Sequence, residues 1–209
     1  MAEHDARLLV ENHWEDGPHH VYEISHQNQR LAFFHPGVGA PLAVGLLEEV
    51  IALGCRKFMA CGGCGVLEKE LAVGNLVVVS GAVRDEGVSY HYLPPGREVV
   101  ANEAAVKALA ATLSGRGIPY RVGKTWTTDA PYRETPNKIA RRKAEGCLTV
   151  EMESAGLLAV AQFRDVSLGQ ALYGGDDLSG SEWQNRAWQS RSEIRESLFW
   201  LCADACLAL

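Results

Sequence analysis

From residue 30 onward, apolar residues fall into short blocks whose spacing alternates between strand-like and helix-like. Leu31-Ala32-Phe33-Phe34 reads as a short buried strand that runs into the turn Pro36-Gly37-Val38-Gly39-Ala40. Leu42, Val44, Leu46, Leu47, Val50 and Ile51 then recur at helical spacing. Pro41 fits the first turn of that helix, where its missing N–H costs nothing, and Gly54 is a natural stop. Residues 57–60 predict a second strand, ending in the loop Cys61-Gly62-Gly63-Cys64-Gly65. Leu76-Val77-Val78-Val79 is nearly all apolar, as in a strand buried on both faces. A polar, aromatic-bearing loop follows over 84–96. Asn102 caps a helix that runs to about Leu113 and stops at Gly115. Residues 120–127 predict a strand, and Thr135-Pro136 opens a basic helix through Lys143. Leu148-Thr149-Val150 is a short strand leading straight into Glu151-Met152-Glu153. An Ala/Leu-rich helix over 154–163, a strand over 167–173 and a long amphipathic helix over about 185–207 complete the pattern.

Strands and helices in alternation are the mark of an α/β fold with a mainly parallel sheet covered by helices on both faces. No repeat, linker or low-complexity run divides the chain, so residues 1–209 read as a single domain. In such sheets ligands bind beyond the carboxyl ends of the strands. The segments 36–40, 61–65, 84–92, 128–135, 151–153 and 174–179 are therefore expected to converge. The first 30 residues are weakly patterned and hold five of the seven histidines: His4, His13, His19, His20 and His26. Without ligand spacing for a metal, that stretch reads as solvated or covered by a partner.

Composition narrows the partners. The 209 residues are 47% hydrophobic and 22% charged, with a net charge of −6. Such a surface repels a phosphate backbone, which argues against nucleic acid. No apolar run approaches the roughly 20 residues that span a bilayer, and the polar start has no apolar signal core, so the expected location is the cytoplasm. The six cysteines are irregularly spaced and read as reduced, mostly buried thiols.

Four motifs carry candidate chemistry. Gly37-Val38-Gly39, between a strand and a helix, could meet an anion with backbone N–H groups, or be only a tight turn. Cys61-Gly62-Gly63-Cys64 lacks the helix that a redox C-x-x-C needs and the second close pair that zinc needs, which leaves a glycine-rich segment near a ligand and no metal site. Glu151-Met152-Glu153 puts two carboxylates at a strand–helix junction, suited to capping a helix or accepting from vicinal hydroxyls. Gly174-Gly175-Asp176-Asp177 offers an aspartate as a cap or as a proton donor in a cleft.

Taken in order, several stretches resemble the nucleoside phosphorylase family. They are Gly37-Val38-Gly39-Ala40-Pro41, residues 61–67, Val73-Gly74-Asn75-Leu76-Val77, residues 83–92, Thr127-Thr128-Asp129-Ala130-Pro131-Tyr132, Val150-Glu151-Met152-Glu153-Ser154-Ala155 and Gly175-Asp176. The stretch over 84–92 looks closest to the uridine phosphorylase branch. The resemblance implies a three-layer α/β/α sandwich with a mixed, mainly parallel sheet. It also implies a homo-oligomer and cleavage of the N-glycosidic bond of a small nucleoside, with inorganic phosphate as co-substrate and no other cofactor. It assigns Glu153 to the ribose hydroxyls and Met152 to the sugar, with Glu151 beside them. Pro131 and Tyr132 would sit against the base, Arg133 would hold a pyrimidine carbonyl, and Asp176 would protonate the leaving base. Gly39, Gly62, Gly63 and Arg84 are the anion-binding candidates.

The family's usual phosphate ligands have no match here. No Gly-Asp-Pro-x-Arg stretch precedes Leu31, where the chain looks short beside the family. Ala60 stands where the family has arginine, and Gly63 where it has a hydroxyl. Charge-assisted arginine contacts are the strong ones for a dianion. Either Arg84, His35 or a neighbouring subunit supplies the anion site, or water is the nucleophile, or the chain is an inactive nucleoside-binding paralogue.

Overall fold

The computed structural model describes residues 6–209; the polar start over 1–5, with His4, lies outside the described residues. The weakly patterned beginning is folded. β1 (Arg7–Trp14), β2 (Gly17–His26) and β3 (Gln29–Phe34) form an antiparallel meander of their own. Gln27 and Asn28 both have positive φ (51° and 60°), as a two-residue hairpin turn demands. The strands escape a hydrophobicity reading because ion pairs and cross-strand histidines line them. Glu23 binds Arg7 and Arg30 (2.9 and 2.6 Å), and Glu11 holds His13 and His20 (3.0 and 2.8 Å). The 31–34 strand therefore belongs to this small sheet and not to the central one.

The rest alternates as expected. α1 (Ala40–Ala52), β4 (Lys57–Val66), β5 (Leu76–Asp85), β6 (Glu98–Val100), α2 (Glu103–Gly115), β7 (Tyr120–Thr128), α3 (Pro136–Ala144), β8 (Cys147–Glu151), α4 (Ser154–Phe163), β9 (Ser167–Asp177) and α5 (Ser192–Ala208) follow one another. The Asn102 side chain caps α2 by accepting from the Ala105 N–H (3.0 Å). α5 begins later than its apolar pattern predicts. Arg186 and Ala187 are left-handed, and Arg186 is tied to Asp177 and to the Leu71 carbonyl.

The central sheet has the order β6-β5-β7-β8-β4-β9, and β5 also pairs with β9. β5, β7, β8, β4 and β9 thus close into a barrel-like ring. The sheet is mixed and mainly parallel, as expected, but it closes on itself and is not the open middle layer of a three-layer sandwich. β4–β9, β5–β7 and β7–β8 are parallel, whereas β4–β8, β5–β6 and β5–β9 are antiparallel. Irregularities between Val79 and Gly81, Cys64 and Val66, and Lys124 and Thr125 bend the strands and increase their twist, bringing the ends of the sheet together.

Helices pack on two flanks of this ring. Val44 and Leu47 of α1 join Leu157, Leu158 and Val160 of α4 in one buried cluster; Leu109 and Leu113 of α2 join Leu198 and Leu201 of α5 in another. Each such side chain contributes roughly 1.5–3 kcal/mol on full burial. The small sheet leans on α5, with His26 Nε2 2.6 Å from Asp204 and the Phe33 ring edge-on to Phe199. It reaches α1 through the Trp14 indole, which donates to Glu49 (2.8 Å). Among the described residues no helix is long and apolar enough to cross a membrane.

Candidate functional site

The acidic corner is built where β8 turns into α4. Glu151 is buried and accepts three hydrogen bonds: from the Thr127 hydroxyl (2.6 Å) and from the backbone N–H groups of Glu153 (2.7 Å) and Ser154 (2.6 Å). It therefore satisfies the otherwise unpaired N–H groups at the head of α4. Thr127 completes the arrangement by accepting from the Ala155 N–H (2.9 Å). Burial, together with the repulsion of Glu153, pushes the Glu151 carboxyl up to about 7.

Glu153 is half-buried and held from another element. The Gly39 N–H, just before α1, donates to its Oε1 at 2.6 Å. Gly39 has φ +94°, a conformation that favours glycine, and this aims its N–H across to α4. Burial raises the Glu153 carboxyl, while the Gly39 N–H and nearby His35 oppose the shift. Gly39 thus orients a carboxylate, and its N–H is not free for a phosphate. His35 Nδ1 accepts from the Gly37 N–H (3.0 Å), which leaves the ring proton on Nε2, and His35 is near enough to Glu153 to act on its charge.

The two aspartates after the last strand separate into different roles. Asp177 is buried; burial raises its carboxyl, but the Ser179 N–H (2.8 Å) and Arg186 outweigh this and hold it below the usual range. Asp176 is half-buried, and its Oδ2 accepts from the Trp183 indole N–H at 2.6 Å. Gly65 lies beside it: a Cβ there would stand 3.5 Å from Asp176 Oδ1, and only 2.5 and 2.9 Å from Leu178 and Val150. Only a glycine lets β4 pass between β8 and β9 at this level.

Register places the carboxylates. Gly65 pairs with Val150 on one side, and Cys64 and Val66 pair with Gly174 and Asp177 on the other. Glu151 and Asp176 thus flank β4 at the distance of two strand spacings, about 10 Å. Burial and both of these carboxylates push the Cys64 thiol far up. Glu134, after the short 3₁₀ turn Pro131–Arg133, joins from the far side. Burial and the Asp176 charge, opposed by Lys138, raise its carboxyl to about 7. The Gly87 N–H donates to Asp129 (2.9 Å), joining two of the expected segments, as the Gly39 N–H and Glu153 join two others.

Several anticipated ligands have other duties. Gly62 and Gly63 lie inside β4, not in a loop, and a Cβ at Gly63 would meet the Tyr173 ring at 2.9 Å, so that glycine makes room for a buried aromatic. Cys61 and Cys64 are three apart on the same strand and point to opposite faces, and all six cysteines are free. Arg84 is 3% exposed; it donates to the Ser89 hydroxyl (2.8 Å) and the Pro94 (2.8 Å) and Leu93 (3.3 Å) carbonyls, and stacks on Tyr90. It organises the loop after β5 and is not an open anion ligand. Tyr132 is fully exposed (100%), and Pro131 and Arg133 are exposed beside it; none is packed over the corner. Met152 is half-buried between the two glutamates. A hollow lined by His13, Trp14, Glu15, Asp16 and Leu42 lies at the β1–β2 turn, and Glu151, Glu153 and Asp176 are not among its lining residues.

Thr127, Glu134, His35 and Trp183 complete the corner. Thr127 falls in a stretch that resembles the family, whereas nothing in the strand pattern marks Trp183, which reaches Asp176 only through the loop beyond β9.

The model of the phosphorylase superfamily matches residues 2–197. The chain belongs to the phosphorylase superfamily. Within this superfamily it is similar to the guanosine phosphorylase of Halorubrum lacusprofundi, 27% identical over 165 residues, or 79% of this chain and 67% of the relative. The uridine phosphorylase of Salmonella typhimurium is 29% identical over 147 residues, 64% of this chain and 58% of its own. The purine nucleoside phosphorylase DeoD-type 1 of Shewanella oneidensis is 27% identical over 169 residues, 75% of this chain and 70% of its own. Superfamily relatives named for guanosine, uridine and purine nucleosides thus match at similar identity, and the uridine branch is not singled out.

Proposed function

We propose that this superfamily member cleaves the N-glycosidic bond of a nucleoside by phosphorolysis. The observation that carries the reading is the Glu153 carboxylate, fixed by the Gly39 N–H at the head of α4, with Asp176 across β4. An ionised carboxylate is acceptor-only and suits a pair of neighbouring hydroxyls. In this reading Glu153 grips the ribose 2′- and 3′-hydroxyls, with Met152 against the sugar. A phosphate oxygen forms the new bond to C1′ while the C1′–N bond breaks and its electron pair leaves with the base. Asp176 supplies the proton that the departing base takes up. A well-placed proton donor accelerates such a step by roughly 10²–10⁴-fold. His35 Nε2–H, beside Glu153, is the donor left to meet the phosphate. Pro131, Tyr132 and Arg133 reach the base only if their turn moves inward. A homo-oligomer and a cytoplasmic location accompany this reading.

The engagement of Gly39 and Arg84 elsewhere favours a second reading, in which water replaces phosphate. Release of free base from guanosine, inosine and uridine, measured with and without inorganic phosphate, separates the two. Turnover that rises with phosphate and yields ribose 1-phosphate supports phosphorolysis. A rate indifferent to phosphate supports hydrolysis, and nucleoside binding without turnover would leave only a binding protein.

A further inference from the structure

The loop beyond β9 is pinned at its base. Asp177 and Gln184 exchange both backbone hydrogen bonds (2.8 and 3.0 Å), and the Asp177 side chain is held by Ser179 and Arg186. Trp183 is the last residue before that closure. Its indole N–H points to Asp176 Oδ2 at 2.6 Å, yet the residue is 60% exposed. A large aromatic left in solvent, with its one polar atom turned onto a half-buried carboxylate, is poorly explained by packing. The other oxygen, Oδ1, lies on the side of Gly65, 3.5 Å from where a Cβ on that residue would stand.

We propose that Trp183 is the positioning residue for Asp176: it locks Oδ2 and leaves Oδ1 as the oxygen that meets the leaving base. This rests on the reading of Asp176 as the acid at the base end. With Oδ2 engaged by a donor, the proton handed to the base leaves from Oδ1. It passes to a ring nitrogen of the base as the C1′–N pair departs, and the carboxylate left behind keeps the indole N–H as its stabilising partner. Glu134, from the segment after β7, and Cys64, from β4, are titratable groups that interact with this carboxyl.

The test is a double-mutant cycle with Trp183→Phe, which keeps a ring and removes the donor, and Asp176→Asn, using guanosine with inorganic phosphate. Trp183→Phe is expected to lower kcat about tenfold, the equivalent of one ordinary hydrogen bond, with KM within about twofold. In the Asp176→Asn background the same change should be nearly silent, because coupled residues are non-additive. Equal losses in both backgrounds overturn the proposal. An Asp176→Asn enzyme as active as the parent overturns the functional reading instead. A readout independent of turnover is the ¹⁵N-edited indole resonance that disappears in Trp183→Phe. It should move in Asp176→Asn, and an unmoved signal refutes the pairing whatever the kinetics. Unchanged melting of Trp183→Phe confirms that the fold is kept.

Discussion

Replacing Glu151 by glutamine should flatten the dependence of stability on pH. The Glu151 carboxyl is raised from 4.5 to about 7 in the folded chain, first by burial and then by Glu153. The native state therefore holds a proton that the unfolded state has already released. The stabilisation from this group is complete below pH 4.5 and is lost as pH rises through 7. A shift of that size corresponds to ~3 kcal/mol. Glutamine fits the protonated arrangement: its oxygen can accept from the Glu153 and Ser154 N–H groups, and its amide can donate to the Thr127 hydroxyl oxygen. Guanidinium unfolding at pH 5, 6, 7 and 8 tests this. Glu134, raised in the same sense, remains in both proteins, so the difference between the two curves reads Glu151 together with its coupling to Glu153. The parent should lose ~3 kcal/mol more than Glu151→Gln across the window. Parallel curves would refute the claim that this buried carboxyl holds a proton near neutrality.

Arg84→Met should destabilise the fold by ~3 kcal/mol, since it removes charged hydrogen bonds to Ser89, Leu93 and Pro94, while leaving the KM for phosphate within about twofold. Denaturant unfolding and phosphate titration check the two halves, and a large rise in that KM would restore Arg84 as an anion ligand. Glu153→Ala should lower kcat/KM by about 10² or more through loss of sugar positioning. It should also erase the preference for guanosine over its 2′,3′-dideoxy analogue; a preference that survives would remove Glu153 from the sugar. Gly65→Ala should cost about 1–3 kcal/mol in overpacking against Leu178 and Val150, measured by melting; unaltered stability would mean that β4 has room to shift.

Local signals carried much of this architecture. The α4 span of 154–163 follows from its Ala/Leu pattern, and the start of β5 from four consecutive apolar residues. Glycine misled where it serves packing: Gly62 and Gly63 resemble a loop, but they belong to a strand that runs to Val66 beside the Tyr173 ring. The meander at the beginning was obscured because its stabilising pairs, such as Glu23 with Arg7 and Arg30, are polar. Ring closure between β5 and β9, and the Gly39 bond to Glu153 across 114 positions, depend on contacts remote in the chain that no local period reports. At the candidate site, the acidic residues were visible as a motif at a strand–helix junction. Their orienting partners, Thr127, Gly39 and Trp183, emerge only when separate elements meet.

The antiparallel seam between β5 and β9 joins Leu76, Val77 and Val78 to Tyr173, Leu172 and Ala171, three to five positions before Asp176. β4 grips the opposite border of the same strand. Peeling away the wall that carries Asp176 would thus rupture two ladders at once. Amide protons along this stretch should be among the last to exchange with deuterium. If Asp176 meets a departing base as proposed, that aspartate sits at the end of a wall held on both borders, and motion at the site falls to the turns around it.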